Sequence, residues 1–121
     1  MENNNAINWF EIPVSNMKRA KEFYQKIFDM TLQDMPMEGM SYAFWPNEGI
    51  GGALAEGPDY VPSQTGSLCF LNGGDDLENV LKKVSNAGGN VVQPKTSIGP
   101  HGFIARFTDT EGNLVALHSK N

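Results

Sequence analysis

Residues 43–54 read AFWPNEGIGGAL and residues 105–117 read ARFTDTEGNLVAL, and the likeness of these two stretches decides the fold. Each pairs two strand-like runs across a turn, the second with one residue extra. In the second turn Gly112 supplies a positive φ that other residues resist, and Asn113 tolerates one. Residues 114–118 then run as a strand, in which alternate side chains face opposite sides. Leu114, Ala116 and His118 share one face, and Val115 and Leu117 share the other.

The neighbouring sequence repeats in the same order. Before the first hairpin, residues 7–14 (INWFEIPV) alternate as a strand, with Pro13 marking its end or a bulge. Ser15 or Asn16 can cap a helix carrying Met17, Ala20, Phe23, Tyr24, Ile27 and Phe28 at three- and four-residue spacing. Strands are expected at 30–35, 41–45 and 50–55, separated by Pro36 and Gly39, then by Pro46, Asn47 and Gly49. Further on, 67–71 reads as a strand. Asp75 with Glu78 makes a helix start of capping-box type. The stripe Leu77, Val80, Leu81, Val84 and Ala87 stops at Gly88-Gly89, and strands follow at 90–93, 103–107 and 114–118. Strand, helix and three strands therefore occur twice, which points to an internal duplication. The expected organisation is one domain over 1–121: module one at about 6–56, a Pro- and Gly-rich linker at 57–65, and module two at about 66–119.

Composition narrows the function. At 121 residues, 40% hydrophobic and 19% charged, the chain has the make-up of one globular domain. A net charge of -5 with only nine Lys and Arg leaves no basic patch for nucleic acid. No run approaches the ~18 apolar residues of a membrane span. The start, MENNNAINWF, lacks the features of a signal peptide. The lone Cys69 excludes an intrachain disulfide and fits a reducing compartment, so a cytoplasmic location is expected.

The segments FEIPVSNMKRAKEFYQKIFDM, DDLENVLKKVSNAGGNVV and FTDTEGNLVALHS, with the doubled element order, resemble the vicinal oxygen chelate superfamily of glyoxalases, bleomycin-resistance proteins and extradiol dioxygenases. The resemblance implies an α+β fold in which duplicated βαβββ modules form a half-open barrel of roughly eight strands, helices outside. It also implies a small-molecule ligand, and a homodimer that either packs complete chains or exchanges modules. Enzymes of that superfamily hold a divalent metal with four side chains, whose positions here fall on Trp9, Ala53, Ser67 or Cys69, and Ala116. These residues do not supply the nitrogen and carboxylate oxygen ligands such a metal needs, so no metal and no other cofactor is expected.

Strand alternation puts Trp9, Glu11, Ala53, Ala55, Ser67, Cys69, Ala116 and His118 on the inner face, a mostly apolar cleft with a few polar anchors. Trp9 is either core packing or a stacking platform. Glu11, between Phe10 and Ile12, is either paired for structural reasons, or an anchor for a cationic or hydrogen-donating ligand, or a general base. His118 is either a strand-end histidine or an acid-base group, and Cys69 is either a small buried hydrophobe or a polar group of the cleft. Three readings stay open. One is metal-free binding of a small molecule, as in sequestration or resistance. Another is a lyase or isomerase using Glu11 and His118, or a displaced metal held by them with Cys69. The third is a dimerisation domain with a vestigial cleft.

Overall fold

The computed structural model describes residues 5–46 and 48–121, so the turn expected at Asn47 lies outside the described residues. The first half contains β1 (Trp9–Pro13), α1 (Met17–Phe28), β2 (Gln33–Met37), β3 (Met40–Phe44) and β4 (Gly51–Glu56). The second contains β5 (Phe70–Asn72), α2 (Glu78–Leu81), α3 (Val84–Ala87), β6 (Asn90–Ser97), β7 (Phe103–Thr108) and β8 (Leu114–Ser119). They build two four-stranded mixed sheets, ordered β1-β4-β3-β2 and β5-β8-β7-β6. In each sheet the first strand lies parallel to the last. A parallel pair needs a long crossover, and the helix provides it. The sheets remain separate, with β1 and β5 at their edges, as a half-open barrel requires. This is the α+β architecture expected from the doubled order.

One core joins both halves. From α1 come Ala20, Phe23, Tyr24 and Ile27, and from the first sheet Ile12, Ala43 and Leu54. The second half adds Leu77, Val80, Leu81, Val84, Phe107, Val115 and Leu117. The Phe23 and Phe107 rings meet at 5.9 Å between centroids, and this contact crosses from one half to the other. Val115 and Leu117 therefore face the core, while Ala116 and His118 point to the opposite side of the sheet.

The helix starts depend on distant residues. Asn16, not Ser15, caps α1: its side chain accepts from the Arg19 amide at 3.0 Å. The Glu111 carboxylate, reaching across from the second half, accepts from the Ser15 and Asn16 amides at 2.8 Å each. It also takes the Arg19 guanidinium through Nε at 2.6 Å and Nη2 at 2.9 Å. Asp109 accepts the buried Tyr24 hydroxyl at 2.8 Å, and Asn113 Nδ2 donates to the Pro13 carbonyl at 2.7 Å. The acidic turn thus bolts the second half onto the start of the first.

The second helical stripe differs from the sequence reading in two ways. It is split into α2 and α3, because the Lys83 amide bonds back three residues to Val80 at 3.0 Å and tightens the chain between them. The carboxylate at its start is Asp76 rather than Asp75, accepting from the Glu78 amide at 2.9 Å. The Leu77 amide is satisfied by the Ser119 hydroxyl at 3.0 Å. Gly88 ends the stripe as expected, at φ 110, where a side chain would be strained. Among the described residues no helix is long and apolar enough to cross a membrane.

Candidate functional site

Between the edge strands β1 and β5 runs a groove of about 1120 Å³. One bank carries Ile7, Trp9, Phe10 and Glu11, and the other is formed by residues 67–72. Trp9 and Phe70, one on each bank, are large hydrophobic rings left 44% and 49% exposed. A second cavity of about 860 Å³ adjoins the groove along β5, sharing Phe70, Leu71, Asn72 and Gly74, and is also lined by Asp75, Ile98, Ile104 and His118 among others.

Alternation along β1 sends Ile12 to the core and Trp9 and Glu11 to the groove. Glu11 is exposed, yet both of its oxygens are engaged. Oε2 accepts from the Trp9 indole Nε1 at 3.3 Å, and Oε1 accepts from the Tyr60 hydroxyl. Tyr60 lies in the connector between the halves, folded back over the first sheet. The hydrogen bond to Glu11 raises its hydroxyl well above the usual phenol range, so Tyr60 acts as a donor.

The other expected residues are placed as follows. Ala53 is opposite Glu11 on β1 and Phe44 on β3, and Ala116 is opposite Phe70 on β5 and Arg106 on β7. Both alanines are fully buried. Ser67 and Cys69 line the groove, but neither is a ladder partner of Ala116 or His118. Phe70 and Asn72 hold those cross-strand positions, because the ladder of β5 begins only at Phe70. Cys69 instead packs on the core, where burial pushes its thiol up and keeps it protonated. His118 faces the second cavity and Nε2 lies 2.7 Å from the His101 carbonyl. A carbonyl only accepts, so Nε2 carries the proton. Glu11 and His118 thus line different cavities.

The donor set does not fit a metal of the expected kind. Trp9, Ala53, Ser67 and Ala116 offer no imidazole or carboxylate, and the ladder partner of Ala116 on β7 is a cationic residue, Arg106. Among the described residues no three His, Cys, Asp or Glu side chains gather closely enough to hold a metal ion, so Glu11, His118 and Cys69 do not form a displaced site either. The sequence reading missed Tyr60, Phe70 and Arg106. Arg106 alone had a local signal: residues 105–117 align it with Phe44 of the first hairpin, on the same inner face.

Comparison with known proteins gives a consistent result. The family description "Glyoxalase/Bleomycin resistance protein/Dioxygenase superfamily" matches residues 6–117. A glyoxylase-like domain-containing protein of Didymella fabae is 30% identical over 123 residues, covering 92% of this chain and 91% of that protein. CFP32 of Mycobacterium bovis, provisionally named a glyoxylase, is 29% identical over 119 residues, 94% of this chain. The match spans only 45% of CFP32, less than half of its length. In structure the chain is similar to TnmS3, an antibiotic binding protein from Streptomyces sp. CB03234, with a TM-score of 0.65, 23% identity and 100% coverage of both chains. At that identity the likeness shows the fold alone.

Proposed function

Because the chain belongs to the glyoxalase/bleomycin resistance protein/dioxygenase superfamily, we propose that it binds a small molecule in the groove between β1 and β5 without the metal centre of the superfamily's enzymes. The observation that carries this reading is the composition of the groove. Exposed Trp9 stands at one of the positions where the resemblance places a metal ligand, alanines hold two others, and the groove also carries the exposed Phe70 ring and the braced Glu11 carboxylate. Concave apolar walls with a few placed polar groups are the general form of a small-molecule site. The fold shared with an antibiotic binding protein supports sequestration as the purpose of such binding.

The reading in which Glu11 and His118 act as an acid-base pair has weaker support, since no one cavity is lined by both residues. A homodimer belongs to the favoured reading, because among the described residues β1 and β5 are sheet edges that an assembly can cover. The reducing cytoplasm remains its setting, on the strength of the single cysteine.

Native mass spectrometry of the purified protein, paired with elemental analysis after dialysis, tests the proposal. The expected result is a retained organic compound with far less than one metal per chain. About one Zn, Ni or Fe per chain surviving dialysis would overturn it, since genuine sites bind tightly. Sedimentation equilibrium tests the dimer: a single species at the 13.3 kDa monomer mass rejects it.

A further inference from the structure

Resting on that binding reading, we propose that the groove selects a planar aromatic cation and excludes anions. Of the described residues lining the groove, Glu11 is the one that bears a charge. Its neighbours there are aromatic, aliphatic, small or neutral polar. A ligand carboxylate or phosphate would meet one negative group and no compensating cation, and specificity of this kind comes from repulsion as much as attraction. A cation meets the opposite situation.

The carboxylate is also held ready. Trp9 Nε1 and the Tyr60 hydroxyl occupy one acceptor position on each oxygen, and an ionised carboxylate has roughly four such positions. Lone pairs on both oxygens remain for a ligand, and bonds from two elements fix the rotamer. Preorganisation of this kind lowers the cost of binding.

The rings define the rest of the ligand. Trp9 and Phe70 stand on opposite banks with about half their surface exposed. A flat aromatic body can stack on either, and a positive charge over a ring face adds a cation–π attraction. The net charge of -5 draws cations toward the molecule over longer range.

The test compares three dyes of one shape and different charge: proflavine (cation), acridone (neutral) and acridine-9-carboxylate (anion). Each is titrated with protein at fixed ionic strength and followed by fluorescence anisotropy. The expected order is proflavine tightest, acridone about tenfold weaker, and the carboxylate weakest, as a charge-assisted contact outweighs a neutral one by about that factor. Glu11→Gln removes the charge while its amide oxygen can still accept from Trp9 Nε1 and its amide N–H can donate to the Tyr60 hydroxyl, and it should bring proflavine to the level of acridone with acridone unchanged. Glu11→Asp keeps the charge and should keep the preference. Trp9→Ala should weaken both dyes. Equal binding of proflavine and acridone, or a cation preference that survives Glu11→Gln, overturns the proposal. So does dye binding that is lost in step with dimer formation, which would make a second copy the occupant. If no dye binds while a copurified compound is retained, cation selection falls and the binding reading stands. If no dye binds and nothing is retained, both fall.

Discussion

Two hairpins with matching sequence have taken up different work. In the second, Asp109, Glu111 and Asn113 all reach into the first half of the chain, to Tyr24, to the start of α1 and to the Pro13 carbonyl. In the first, Trp45 occupies the position matched to Phe107, and its ring lies among Phe10, Tyr24 and Phe28 of its own half. The inner faces diverge in the same way. Phe44 stands opposite Ala53, whereas Arg106 stands opposite Ala116 and is fixed by Gln93 Oε1 at 2.7 Å. Duplication preserved strand order and the small residue under each neighbour. It did not preserve chemistry, so each half must be read for its own side chains.

The largest expected effect tests the claim that the second hairpin supplies the common core. Phe107→Ala should cost ~3–5 kcal/mol in urea denaturation, the range for deleting a fully buried aromatic ring. Trp45→Ala should cost less, because Trp45 is only partly buried. Equal losses would erase the asymmetry.

Next comes the bond between Tyr24 and Asp109. Tyr24→Phe should cost ~1.5–3 kcal/mol, the range for a hydrogen bond to a charged group. Burial, reinforced by Asp109, raises the Tyr24 hydroxyl above its ordinary value of 10.0. A raised folded value gives stability that is present below the unfolded value and lost as pH climbs past it. The native protein should therefore lose stability above about pH 10, with a flatter alkaline limb in Tyr24→Phe.

Glu111→Gln should cost ~1–2 kcal/mol, in the range of a lost helix cap. Burial pushes the Glu111 carboxyl up, but Arg19 and the Asn16 and Ser15 amides outweigh it and hold it below its ordinary 4.5. A depressed folded value gives stability that is present above the unfolded value and lost as pH falls through the folded one. Thermal unfolding from neutral pH down past 4.5 should show the native protein losing stability more steeply than Glu111→Gln. Parallel curves would mean that the cross-half clamp carries no charge dependence.

The smallest effect belongs to the connector. Tyr60→Phe should change stability by no more than ~0.5 kcal/mol, as for other surface changes, while releasing Glu11 from one of its two donors. A larger loss would make the connector part of the core and not an accessory to the groove.

The fold was legible because its signals are periodic. The α1 stripe and the alternation around Ile12 and Val115 each span several residues that agree. The groove was legible only on the β1 bank. There Trp9 and Glu11 sit in a five-residue strand whose parity Ile12 fixes. On the other bank β5 has three residues, and the stretch before it has no ladder to set parity, so extrapolating alternation back to Ser67 and Cys69 passed over Phe70. Tyr60 carried no signal, because a connector residue has no period. Its role comes from tertiary folding alone.

The span of the Glu111 contacts bears on how the chain acquires its shape. The Ser15 amide and the carboxylate that satisfies it are 96 residues apart, and Asn113 and Pro13 are 100 apart. As a ribosome releases the chain, α1 emerges with the Ser15 and Asn16 amides at its start bonded only to water, and their protein partner follows 96 and 95 residues later. Contacts this distant in sequence must meet the cost of closing a long loop before they return any stabilisation, which slows folding. The first half therefore has no finished state of its own during synthesis. Folding should complete in one late cooperative step, and a chain halted before residue 111 should stay open to protease along α1.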